Sequence, residues 1–89
     1  MKQIKTTRRF EKDYALSARR GQSLDKLKII MARLASREIL ELRYRDHALI
    51  GEWSGHRECH LEPDWLLIYR ITEEDIIFER TGTHADLFR

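Results

Sequence analysis

Apolar positions along the chain fall into two regimes. In the first, Phe10, Tyr14 and Ala18 recur at helical spacing, and Leu24, Leu27, Ile30, Met31 and Leu34 form a second stripe interleaved with Lys26, Lys28 and Arg33. Thr7 and Ser23 stand where N-caps are needed, Glu11 and Asp13 lie in early turns, Arg19 and Arg20 in a last turn, and Gly21 at the C-cap. The pattern predicts two short amphipathic helices joined by Gly21-Gln22 as an antiparallel hairpin whose shared apolar side needs another layer to cover it. Ahead of them, Lys2, Ile4 and Thr6 alternate with Gln3 and Lys5, which suits a brief first strand.

In the second regime the period shortens to two. After Ser36 the helical stripe fades through a polar connection, Arg43 to His47, and Ser54-Gly55 marks a turn after Trp53. Arg57, Cys59 and Leu61 then alternate with His56, Glu58 and His60. Pro63-Asp64 breaks the run, Trp65 to Ile71 is nearly continuously apolar as in a central strand, and Thr72 to Asp75 turns the chain into Ile76 to Arg80. Gly82 ends that strand, and Thr83 to Phe88 suits a last helical turn. The expected architecture is α+β, in the order β-α-α-β-β-β: a small antiparallel-rich sheet with two N-terminal helices packed on one face. No repeat or linker interrupts residues 1–89, so a single domain is expected.

Composition narrows the class of protein. Eighty-nine residues, 42% hydrophobic, support one core. The single cysteine cannot close an intramolecular disulfide, the first residues lack a signal-peptide run, and no stretch approaches a membrane span, so a cytoplasmic protein is expected. The net charge of +2 hides a division: residues 1–47 carry 13 basic and 6 acidic side chains, and residues 48–89 carry 4 and 9. All four histidines lie at or beyond that division, which separates a +7 helical half, suited to an anionic partner, from a −5 half with the titratable chemistry. Carboxylates near the histidines favour their protonated form.

Three polar clusters sit at strand ends: Asp46 with His47, His60 with Asp64, and Arg80 with His84. If consecutive strands pair, Asp64, Arg80 and His84 meet at one edge, with His60 beside them. Imidazoles, a carboxylate and a guanidinium meet the needs of metal-free RNA cleavage: a base for the ribose 2′-OH, an acid for the leaving 5′-oxygen, and a cation for the phosphate. Taken singly, each histidine suits an ordinary surface position. A zinc site within His56 to Asp64 is the main competitor. Strand spacing puts i and i+4 about 13 Å apart and turns Cys59 away from His60, which argues against it. Cys59 reads as a buried thiol rather than a nucleophile. Trp53, Trp65 and Phe88 suit packing or base stacking, with Phe88 the best placed for the latter.

At these residues the sequence resembles a known family. Asp46-His47-Ala48-Leu49, Gly51-Glu52-Trp53-Ser54-Gly55, Arg57, His60-Leu61-Glu62-Pro63-Asp64-Trp65-Leu66-Leu67-Ile68-Tyr69, Phe78-Glu79-Arg80-Thr81-Gly82-Thr83-His84 and Leu87-Phe88 are similar to the YafQ-like branch of the RelE/ParE superfamily. The likeness extends more loosely to Leu24-Asp25-Lys26-Leu27-Lys28. It implies a toxin of a type II toxin-antitoxin system that cuts messenger RNA in the ribosomal A site, leaving a 2′,3′-cyclic phosphate and a 5′-hydroxyl, with no metal or cofactor. It implies a catalytic set of His47, His60, Asp64 and His84, with Arg80 on phosphate and Phe88 near the bound RNA. His60 or His84 would be the acid and Asp64 an orienting group or base. His56 departs from the family pattern, which has an aromatic there, and is expected to be peripheral. The implied partners are a cognate antitoxin, in an oligomeric complex that meets operator DNA through the antitoxin, and the ribosome with its A-site message, but no membrane. The basic helices from Arg8 to Arg45 offer a surface to an acidic antitoxin arm or to ribosomal RNA. Two other readings are a ParE-like toxin that binds DNA gyrase without cutting RNA, and a binding module that keeps the fold without the chemistry. Neither accounts for His60, Asp64 and His84 occurring together.

Overall fold

The computed structural model describes residues 1–88. The elements are β1 (Gln3–Thr6), α1 (Arg8–Arg19), α2 (Leu24–Ala35), β2 (His47–Ala48), β3 (Arg57–Glu62), β4 (Trp65–Ile71), β5 (Asp75–Gly82) and α3 (His84–Phe88). The caps are those read from the sequence. Thr7 Oγ1 accepts from Phe10 N–H at 3.0 Å and Ser23 Oγ from Lys26 N–H at 3.3 Å, satisfying amides that the first turns leave open. Gly21 follows α1 at φ +78°, the left-handed conformation glycine adopts without a Cβ penalty.

The strands form one sheet in the order β1-β5-β4-β3-β2, with β1 parallel to β5 and the remaining pairs antiparallel. This adds one strand to the expected element order. His47, expected to end a polar connection, begins a two-residue strand that pairs His47 with Glu58 and Ala48 with Arg57. Two residues are too few for alternation to register. The tail from His84 forms the helical turn expected there, so among the described residues the sheet carries five strands and three α-helices accompany it.

Side chains from the two faces of the sheet meet different neighbours. Phe10 on α1 and Leu27, Ile30 and Leu34 on α2 close over Cys59, Leu61, Trp65, Leu67, Tyr69, Ile76 and Phe78. The opposite face holds a thin apolar layer of Leu66, Ile68 and Leu87, edged by Leu49 and Trp53. β4 is therefore covered on both sides, as its unbroken apolar run requires. The polar tips of its aromatic residues are paired: Trp65 Nε1 donates to Thr81 Oγ1 at 3.0 Å, and the Tyr69 hydroxyl donates to Asp46 Oδ1 at 2.5 Å. Arg57 Nε also donates to Asp46 at 3.2 Å, so Asp46 anchors the segment that delivers His47. Among the described residues, no helix is long and apolar enough to cross a membrane.

Candidate active site

Histidines from three elements converge on the thinly covered face. His60 lies opposite Leu66 and Glu58 opposite Ile68 in the β3–β4 ladder, which puts both with the thin apolar layer and turns the intervening Cys59 into the core. Burial pushes the Cys59 thiol far above the ordinary thiol range, which removes it as a nucleophile. β2 then places His47 across from Glu58. The rings form a row: His47 to His60 is 6.3 Å between centroids, His60 to His84 is 5.7 Å, and His84 to Phe88 is 6.4 Å.

Two carboxylates organise that row. Glu58 is 6% exposed and its Oε2 lies 3.2 Å from His47 Nε2 and 3.4 Å from His60 Nε2. His47 Nδ1 is held by the Arg45 carbonyl at 2.5 Å. Asp64 Oδ1 accepts from the His84 backbone N–H at 2.8 Å and from His84 Nδ1 at 2.6 Å. The bonds from the His84 amide and ring hold the Asp64 carboxyl below the usual carboxylate range. An ionised, doubly bonded Asp64 is a weak base and a good orienting group, and it leaves His84 Nε2 outside the pair.

α3 is only five residues long, and its placement of His84 rests on local chemistry. Thr83 Oγ1 accepts from Asp86 N–H at 3.1 Å, and Asp86 Oδ2 accepts from Thr83 N–H at 2.9 Å, a capping box at the start of the helix. Arg20 at the end of α1 donates to the same carboxylate at 2.7 Å, and this bond and the Thr83 amide depress the Asp86 carboxyl strongly. Gly82 leaves room for the box, since a Cβ there would stand 2.9 Å from Asp86 Oδ2. Leu87 anchors the other side of α3 in the apolar layer.

Of the residues expected at the site, His47, His60, Asp64, His84 and Phe88 come together. Arg80 lies farther from the Pro63 turn than strand pairing alone predicts, though on the same face as Glu58 through their shared partner Ile68. It pairs in register with Ile68, three positions along β4 from Trp65, while Gly82 lies opposite Leu66 next to the Pro63 turn. The ladder skips Glu79 between Phe78 and Arg80, a bulge that simple strand counting does not anticipate. Arg80 forms a bidentate pair with Asp13 on α1, at 2.7 and 3.1 Å, using Nε and Nη2. It lines a separate groove with Arg9, Trp53, His56, Glu79 and Leu87. His56 Nε2 lies 3.0 Å from Glu79 Oε2. Trp65 is core and Asp46 is committed to Tyr69 and Arg57. Glu58 was missed; its signal was an acid on the same strand parity as His60, uninformative until β2 brings His47 opposite. Among the described residues, no group of three or more His, Cys, Asp or Glu side chains is arranged to hold a metal ion.

A carboxylate-tethered histidine beside a second carboxylate-linked histidine pair suits proton transfer in both directions at one phosphate. Residues 2–89 match the family model of YafQ, a bacterial toxin of type II toxin-antitoxin systems. The chain belongs to the YafQ toxin family. The mRNA interferase toxin YafQ of Escherichia coli K12 is 44% identical over 86 residues, covering 96% of this chain and 94% of the relative. The crystal structure of YafQ from Escherichia coli BL21(DE3) superposes with a TM-score of 0.94 at 41% identity, covering all of both chains. The toxin chain in the crystal structure of the Escherichia coli DinJ-YafQ toxin-antitoxin complex gives a TM-score of 0.91 at 43% identity over 99% of this chain and 98% of its own. These likenesses establish the α+β toxin fold over the whole chain.

Proposed function

We propose that this YafQ-family toxin is a ribosome-dependent endoribonuclease that cleaves messenger RNA in the A site by acid-base catalysis. The observation that carries the reading is the row of His47, His60 and His84 organised by Glu58 and Asp64. His84, oriented through Nδ1 by Asp64, presents Nε2 as the acid that protonates the leaving 5′-oxygen. The His47–Glu58–His60 group receives the proton of the ribose 2′-OH, whose oxygen attacks the adjacent phosphorus. The products are a 2′,3′-cyclic phosphate and a 5′-hydroxyl. Phe88, half exposed beside His84, offers a face to a base. Arg80 meets the phosphate through Nη1, the nitrogen outside its pair with Asp13.

A cognate antitoxin is the partner the family relationship supports, in an oligomeric complex that contacts operator DNA through the antitoxin. The toxin itself acts in the cytoplasm on ribosomes, its basic helices from Arg8 to Arg45 contributing charge. The test is induced expression of the protein and of His84→Ala, with primer extension on cellular messages. Growth arrest without message breaks would favour the gyrase-binding alternative, and equal cutting by His84→Ala would remove the catalytic assignment. Cutting by purified protein on programmed ribosomes is expected to be independent of added metal. Loss of activity on removal of protein-bound metal by chelation, with rescue by that metal alone, counts against the mechanism.

A further inference from the structure

Beside His60, in the middle of the histidine row, lies a cavity of about 580 Å³ whose other lining residues the chemistry described above does not use. Its lining includes Lys26 in the first turn of α2, Arg43 and Arg45 before β2, and Tyr44, His60 and Glu62. Arg43 is exposed, stacks on Tyr44 with its guanidinium carbon 4.9 Å from the ring centroid, and donates to the Tyr44 hydroxyl at 3.0 Å. No carboxylate is bonded to either Arg43 or Arg45 among the described residues. Lys26 is shared with Glu62 at 3.5 Å, a contact in which both side chains are solvent-exposed. Arg45 adopts the left-handed conformation at φ +48°, and its carbonyl accepts the bond from His47 Nδ1. A non-glycine residue held there by a bond to a catalytic candidate is fixed in register with it.

We infer that this cavity is a phosphate subsite, in which Arg43 and Arg45 seat an RNA backbone next to the phosphate attacked at the histidine row. The inference rests on the endoribonuclease reading and adds a binding track to it. Two cations without carboxylate partners, one braced by an aromatic ring and the other by its backbone, keep their charge available to a phosphodiester, and His60 is common to the cavity and the row. Glu62 opposes phosphate and is neutralised by Lys26, so the net field of the cavity stays positive. The same chemistry fits the message strand or a strand of ribosomal RNA.

The double variant Arg43→Gln/Arg45→Asn tests this. Asparagine removes the guanidinium while tolerating the left-handed backbone that holds His47. Lys5→Gln on β1, at the far edge of the sheet, controls for loss of a single positive charge away from the cavity. The probe is a fluorescent 2′-O-methyl oligoadenylate, which has no free 2′-OH to be cut. The double variant is expected to bind it about tenfold more weakly at 0.1 M salt, with a salt slope shallower by about 1.4. Its KM on programmed ribosomes is expected to rise while kcat stays. Weaker pelleting with message-free ribosomes, with oligonucleotide binding unchanged, assigns the subsite to ribosomal RNA. Unchanged binding in both arms overturns the inference, as does loss of binding to an acidic antitoxin peptide alone. Wild-type protein that cuts no message overturns the nuclease reading instead, and oligonucleotide binding then judges the subsite separately.

Discussion

The two faces of the sheet differ in what holds them. The helix-covered face is a packed apolar core to which α1, α2, β3, β4 and β5 all contribute, whereas the other is a layer of three buried aliphatic side chains under a row of polar rings. On the first, position follows from excluding water; on the second, it follows from individual hydrogen bonds such as those of Asp64 to His84 and Thr83 to Asp86. A protein can therefore lose its chemistry on one face without losing its fold, whereas loss of packing on the other removes both.

Substitutions on either side break or sharpen that contrast. Phe78→Ala, in the core against Phe10 and Tyr69, is expected to cost about 3–5 kcal/mol of stability in denaturant unfolding. An undiminished midpoint would show that the helix-covered face is not the main source of stability. His84→Ala is expected to lower message cleavage by about a hundredfold or more, the range of general acid-base groups, with the unfolding midpoint almost unchanged. Glu58→Gln keeps the shape but removes the charge between His47 and His60, and is expected to lower cleavage about tenfold. A wild-type rate would reduce Glu58 to a structural role.

The smallest effect concerns pH. The folded-state pKa of Asp86 is depressed, so in the interval below its unfolded value of about 3.9 the unfolded chain binds more protons than the folded one, and stability rises with pH there. The contribution is complete above the unfolded value and is lost as pH falls through the folded one. Asp86→Asn is expected to cost about 1 kcal/mol at neutral pH, as loss of a cap does, and to flatten the acid limb of a stability-pH curve. An unaltered limb would assign acid sensitivity elsewhere.

Much of the scaffold was legible because its signals are local. Thr7, Ser23 and Gly21 mark helix ends through the hydrogen bonds of the residues beside them, and Trp65 to Ile71 reads as a central strand because only burial on both faces tolerates such a run. The candidate histidines were visible as residue types at strand ends. Arg80 was misplaced for a physical reason: the bulge that skips Glu79 shifts every later partner on β5, and one unpaired residue leaves no mark on composition or period. Glu58 stayed hidden because its significance depends on β2, a strand of two residues.

The amino-acid sequence by itself determined the two capped helices and the buried central strand. Each follows from nearest-neighbour chemistry or from a period repeated over many residues. The tertiary structure alone decided that Glu58 joins His47 to His60, that Asp64 is spent on orienting His84, and that Arg80 is shared with α1. Apart from Glu58 with His60, those are contacts between residues 11 to 67 positions apart, and register, bulges and helix placement set them only once the whole chain has packed.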